Sequence, residues 1–117
     1  VNDNNEIEID ASEVTSSARF YSYDAAGTEV RFFAVRGTDG NVRIALDACD
    51  VCYSVKKGYR QAGTNMKCNN CGNEYATDGI GTENIEGGCW PSYIPMDEEA
   101  GKILVNTKDL RDKKFMF

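Results

Sequence analysis

The chain has 117 residues, 13 Lys plus Arg against 19 Asp plus Glu, a formal net charge of -6, five Cys and no His. With 41% apolar and 27% charged residues it has a globular balance, enough to bury roughly two thirds of its unfolded surface, and intrinsic disorder is excluded. The acidic charge argues against nucleic acid as a partner, no apolar run can span a bilayer, and the lack of His excludes histidine triads, histidine metal sites and c-type haem attachment.

Val1 to Asn5 is a polar tail without an initiator Met or a hydrophobic signal region, which reads as a trimmed mature end or as an arbitrary start within a longer chain. Residues 6–117 are then expected to form a single β-rich metal-binding domain. Glu6–Asp10 alternates polar and apolar residues, 19–23 is aromatic, 29–35 is β-branched and aromatic, and 42–46 is a further apolar run, so four strands are predicted by residue 47. Ala26-Gly27-Thr28 and Thr38-Asp39-Gly40-Asn41 supply hairpin turns between them. Ala11 to Val14 is too short for more than a turn. A late strand is predicted at 102–105, after an acidic turn ending at Gly101, and 113–117 reads as an added edge. The segment between is glycine-rich and aperiodic. The expected fold is mainly β, a small antiparallel β-domain of five to seven short strands with two cysteine-pair loops at one end.

Cys49-Asp50-Val51-Cys52, fifteen further residues and Cys68-Asn69-Asn70-Cys71 form the strongest motif. A two-residue gap lets both sulfurs of a pair reach one metal from a tight turn, and the intervening loop brings the second pair opposite the first. Gly72 allows the positive φ of a metal-binding knuckle. Disulfide staples are the bland alternative, but five is an odd number and two Cys-x-x-Cys units suit a metal better than long-loop stapling. No βαβ pattern surrounds either pair, which disfavours a thioredoxin-like dithiol. Met66, Met96 and Met116 could serve Cu(I) as thioether ligands, although packing is their commoner use. Asp47 and Asp50 flank Cys49 and read as a turn cap and a loop charge rather than as catalytic acids.

Charge is uneven along the chain. Residues 49–71 carry Lys56, Lys57, Arg60 and Lys67 against Asp50 alone, an arrangement that reads either as a solvated loop or as cations that offset thiolate charge. Cys89 sits in Gly87-Gly88-Cys89-Trp90-Pro91, where two glycines allow close backbone approach. Cys49, Cys52, Cys68 and Cys71 are therefore the candidate ligands, with Cys89 a further candidate or a neighbour, and Gly72, Gly87, Gly88, Lys56 and Lys57 the candidate surroundings.

These motifs, with Val30 to Val35, Ala45 to Tyr53, Lys57 to Gln61, Met66 to Asn73 and Gly87 to Cys89, closely resemble the FtrD-like family of predicted iron-sulfur membrane proteins. Trp90 departs from the Asn usual there, and the family's membrane-spanning part is missing. The resemblance implies an exported module on the periplasmic or extracellular face, membrane-anchored in the full-length protein, associated with iron uptake and served by a membrane redox or iron-permease partner. The order of strands, cysteine loop, second cysteine loop and glycine-rich loop also looks like a Rieske cluster-binding domain, with Cys52 and Cys71 in place of its histidines. Rubredoxin-type iron and zinc ribbons share the spacing.

Three functions fit: an electron-transfer module holding a [2Fe-2S] cluster or a single Fe, a Zn or Cu(I) metal-handling protein, and a structural-zinc interaction domain. An enzyme is disfavoured because no paired-carboxylate geometry is legible and no His is present.

Overall fold

Strands with one wet face alternate apolar and polar residues, but Phe32, Phe33, Ala34 and Val35 are all buried in succession, so the strand they form is covered on both faces there. The computed structural model describes residues 5–25, 27–38, 40–49, 58–70, 72–76, 80 and 91–117. Among them are ten strands: β1 (Glu6–Asp10), β2 (Arg19–Ala25), β3 (Thr28–Arg36), β4 (Val42–Cys49), β5 (Tyr59–Ala62), β6 (Asn65–Cys68), β7 (Glu74–Ala76), β8 (Pro91–Tyr93), β9 (Asp97–Glu99) and β10 (Lys102–Asn106). They make three sheets of orders β2-β3-β4-β8, β1-β10-β9 and β5-β6-β7, all with antiparallel pairing.

The four-stranded sheet separates two apolar clusters. On one face Val30, Phe32 and Ala34 of β3 and Ile44 and Leu46 of β4 pack with Ile9, Ile103 and Val105 of the β1-β10-β9 sheet. On the other, Phe33, Val35 and Ala45 pack with Tyr59, Met66 and Cys68 of the β5-β6-β7 sheet and with Ile80. Register explains the division: Phe33 lies opposite Ala45 and Phe32 opposite Leu46, so alternate rungs serve opposite cores. Each large side chain buried this way contributes about 1.5–3 kcal/mol.

The predicted β class holds, while the strand count and the chain end require correction. Ten strands replace five to seven because β5 to β9 fall in the segment read as aperiodic; strands of three or four residues are too short to display a period. The predicted edge at 113–117 is instead a 3-10 turn, Lys114–Met116, that buries Met116 against the first core. It follows a helix that the pattern did not announce, α1 (Thr107–Asp112), begun by Asn106, whose side-chain oxygen accepts the Lys108 N–H at 2.9 Å, and anchored by buried Leu110. Ala11–Glu13 forms the expected short turn. The 38–41 hairpin is confirmed by the Gly37 N–H bond to the Asn41 carbonyl at 2.9 Å. Residues 1–4 of the predicted tail lie outside the described residues, and the Asn5 carbonyl accepts both the N–H and the hydroxyl of Thr107, at 3.0 and 2.9 Å. Among the described residues no helix is long and apolar enough to cross a membrane.

Candidate metal centre

The two cysteine pairs begin at strand ends. Cys49 is the last residue of β4 and Cys68 the last of β6. Cys68 pairs with Tyr59 at the start of β5, and Cys49 pairs with Pro91 at the start of β8, past a register irregularity between Ala45 and Cys49. Two residues before Pro91 in the chain stands Cys89.

From Cys68 the backbone turns sharply. The Cys68 N–H donates to the Asn73 carbonyl and the Gly72 N–H donates to the Cys68 carbonyl, both at 2.9 Å. Gly72 has φ +76°, the left-handed conformation expected for a knuckle after Cys71. Cys68 itself is 2% exposed, within the cluster that includes Phe33, Tyr59, Met66 and Ile80. Phe33 and Tyr59 approach with ring centroids 6.2 Å apart, and Tyr59 and Tyr75 at 6.3 Å, so the environment of this thiol is apolar and aromatic.

One carboxylate links the two strand ends. Asp47, two residues before Cys49, is 7% exposed, and its Oδ1 accepts the Tyr59 N–H at 2.7 Å. Gly58, just ahead of Tyr59, accepts the Asn69 N–H through its carbonyl at 2.9 Å, so the residue after Cys68 is tied to the same point. Gly58 has φ +67°, and a Cβ there would lie 2.7 Å from Asp47 Oδ1 and 2.9 Å from its Cγ, which only glycine avoids. Arg31 of β3 offers its Nε 3.8 Å from Asp47 Oδ2. Burial pushes the Asp47 carboxyl above the ordinary aspartate range, opposed by the Tyr59 N–H bond and the Arg31 charge. The sequence reading of Asp47 as a turn cap is corrected: it is a buried strand residue. Alternation in β4 sets Asp47 on the rungs of Arg43 and Ala45, opposite the apolar Val42, Ile44, Leu46 and Ala48, so the pattern reads as a polar face, and the covering β5-β6-β7 sheet is what buries it.

Arg60 and Lys67 face each other across the β5–β6 ladder, on rungs that alternate with the buried Tyr59 and Cys68 pair. Their charges thus stand on the opposite side of the hairpin from the buried Cys68. The Lys67 stem runs beside Gly72, its Cε 3.9 Å from where a Cβ would stand. Cys52, Cys71, Cys89, Asp50, Lys56, Lys57, Gly87, Gly88 and Trp90 lie outside the described residues, and the Cys49 side chain is likewise not described. Among the described residues no group of three or more Cys, Asp or Glu side chains converges as a metal site.

Residues 14–117 match the family described as "Membrane iron-sulfur containing protein FtrD-like". The chain belongs to the FtrD-like family. Comparison with curated proteins and with solved structures returns no match. The match takes in all five cysteines and both described strand ends that open the pairs. The family's name indicates iron-sulfur content, thiolates are the usual ligands of such a group, and this sequence has no histidine to replace them. A buried Cys68 beside a positive-φ glycine turn fits that requirement in both donor type and shielding from water.

Proposed function

We propose that this FtrD-like chain is an extracytoplasmic electron-transfer module in which the thiolates of Cys49, Cys52, Cys68 and Cys71 hold a [2Fe-2S] cluster or a single iron. Such a group supplies one-electron chemistry when bound. The chain's own residues set its surroundings: Phe33, Tyr59 and Met66 keep water from the Cys68 side, and Asp47 fastens β5 to β4 where the two pairs begin. The observation carrying this reading is the pairing of Cys68 with Tyr59 while Tyr59 is hydrogen-bonded to the strand that ends in Cys49. Cys89 is proposed to approach from the β8 side, because Pro91 pairs with Cys49, with Gly87 and Gly88 allowing bare amides near sulfur and Lys56 and Lys57 balancing charge. The role is transfer of electrons rather than catalysis, in association with iron uptake, to a membrane redox or permease partner on the exported face.

Metal analysis with a visible spectrum, on protein purified without air, tests this reading. Iron with sulfide, or iron alone, accompanied by visible absorption is expected. Stoichiometric zinc or Cu(I) in a colourless protein would replace electron transfer with metal handling or structural zinc, and two disulfides among the four cysteines would end the metal reading altogether.

A further inference from the structure

The two strand ends that open the cysteine pairs belong to different sheets, so backbone ladders alone do not fix one against the other. β4 lies in the four-stranded sheet and β6 in the β5-β6-β7 sheet. Apolar packing of Ala45 and Phe33 on Tyr59 and Met66 holds the sheets together but tolerates sliding, since dispersion contacts are non-directional. A hydrogen bond is directional, and at 2.7 Å the Asp47 carboxylate supplies one from β4 to the first residue of β5. Tyr59 in turn is the ladder partner of Cys68, and the Gly58 carbonyl holds Asn69. Gln61 of β5 also accepts the Ala18 N–H at 2.7 Å, just ahead of β2, but among the described residues the Asp47 bond is the one that joins β5 to β4, the strand that ends in Cys49.

We infer that Asp47 is a positioning residue for the thiolate site, its carboxylate oxygen acting as the acceptor that sets the spacing between the Cys49 strand end and the Cys68 hairpin. This rests on the four-cysteine reading above. The role belongs to the acceptor oxygen, whereas the charge is a cost of burial partly offset by Arg31. Asparagine keeps an oxygen at the same distance along the side chain; alanine removes it, and glutamate keeps charge and oxygen but displaces them by one methylene.

The test is Co(II) titration of the reduced, metal-free chain, following the sulfur-to-cobalt absorption that reports thiolate ligation, with far-UV circular dichroism of each apo variant. Wild type is expected to show the thiolate band. Asp47→Asn should bind Co(II) within about threefold of wild type, whereas Asp47→Ala and Asp47→Glu should each lose at least about tenfold, the apo spectra being alike. Should Asp47→Ala fail to fold, the Asn and Glu pair carries the comparison. Wild-type affinity in Asp47→Glu or Asp47→Ala, or an Asp47→Asn defect equal to that of Asp47→Ala, would overturn the positioning role while leaving the metal site standing. A wild-type chain that shows no cobalt-thiolate band would overturn the four-cysteine reading itself, and this role with it.

Discussion

Gly58 and Gly63 offer a matched pair for measuring what the Asp47 contact contributes to stability. Both have positive φ, +67° and +64°, so alanine at either incurs a similar left-handed penalty of about 1–2 kcal/mol. Their surroundings differ. A Cβ on Gly63 meets nothing within 4 Å, whereas on Gly58 it would stand 2.7–2.9 Å from the Asp47 carboxylate. Because Asp47 is buried, that carboxylate must move, and the bond it accepts from the Tyr59 N–H at 2.7 Å is lost. A hydrogen bond to a charged group contributes about 1.5–3 kcal/mol. Gly63→Ala is therefore expected to destabilise by about 1–2 kcal/mol and Gly58→Ala by about 3–5 kcal/mol. Urea unfolding of the apo protein reads the difference: about 2 kcal/mol displaces the midpoint by about 1 M at a slope near 2 kcal/mol/M. In a double-mutant cycle with Asp47→Ala, the excess cost of Gly58→Ala should largely vanish, since the methyl then has space. Equal destabilisation by the two alanines, within about 0.5 kcal/mol, would refute the idea that the Asp47 carboxylate is what reserves position 58 for glycine.

Cys71→Ser removes one proposed ligand beside the Gly72 turn, and metal content measured by elemental analysis should fall to near zero together with the stability that metal adds; four serine variants that each kept full metal would refute the ligand set. Cys89→Ser should keep metal but shift the midpoint potential or the metal's exchange rate, and Lys56→Glu with Lys57→Glu should lower the potential or weaken binding, both read by redox titration and chelator competition. Asp10 accepts from the Ser12 hydroxyl at 2.8 Å and from its N–H at 3.1 Å, with Lys102 nearby, which holds its carboxyl below the ordinary aspartate range. Its contribution is thus present above the unfolded value and lost as pH falls through the lower folded one; Ser12→Ala should move the Asp10 titration, followed by NMR, upward.

The β class, the hairpin at residues 38–41 and the turn glycine after Cys71 were legible because each follows from local rules: alternation with the pleat, a loop rich in turn formers, and a site where positive φ favours glycine. The cysteine spacing also stands in the sequence, as does the absence of histidine that leaves thiolates and carboxylates as donors. Short strands were not legible, since β5 to β9 have three or four residues each, too few to display a period, and β8 takes its conformation from β4, distant in the chain. The helix at 107–112 escaped notice for a related reason: six residues make little intrinsic helix, and Leu110 is held there by the core. Tertiary structure alone decided that Arg60 and Lys67 face outward, through the register that alternates them with Tyr59 and Cys68. It alone also made Asp47 a buried acceptor: a carboxylate in a strand is read as an exposed rung or a cap until a second sheet covers that face and brings the Tyr59 N–H to meet it.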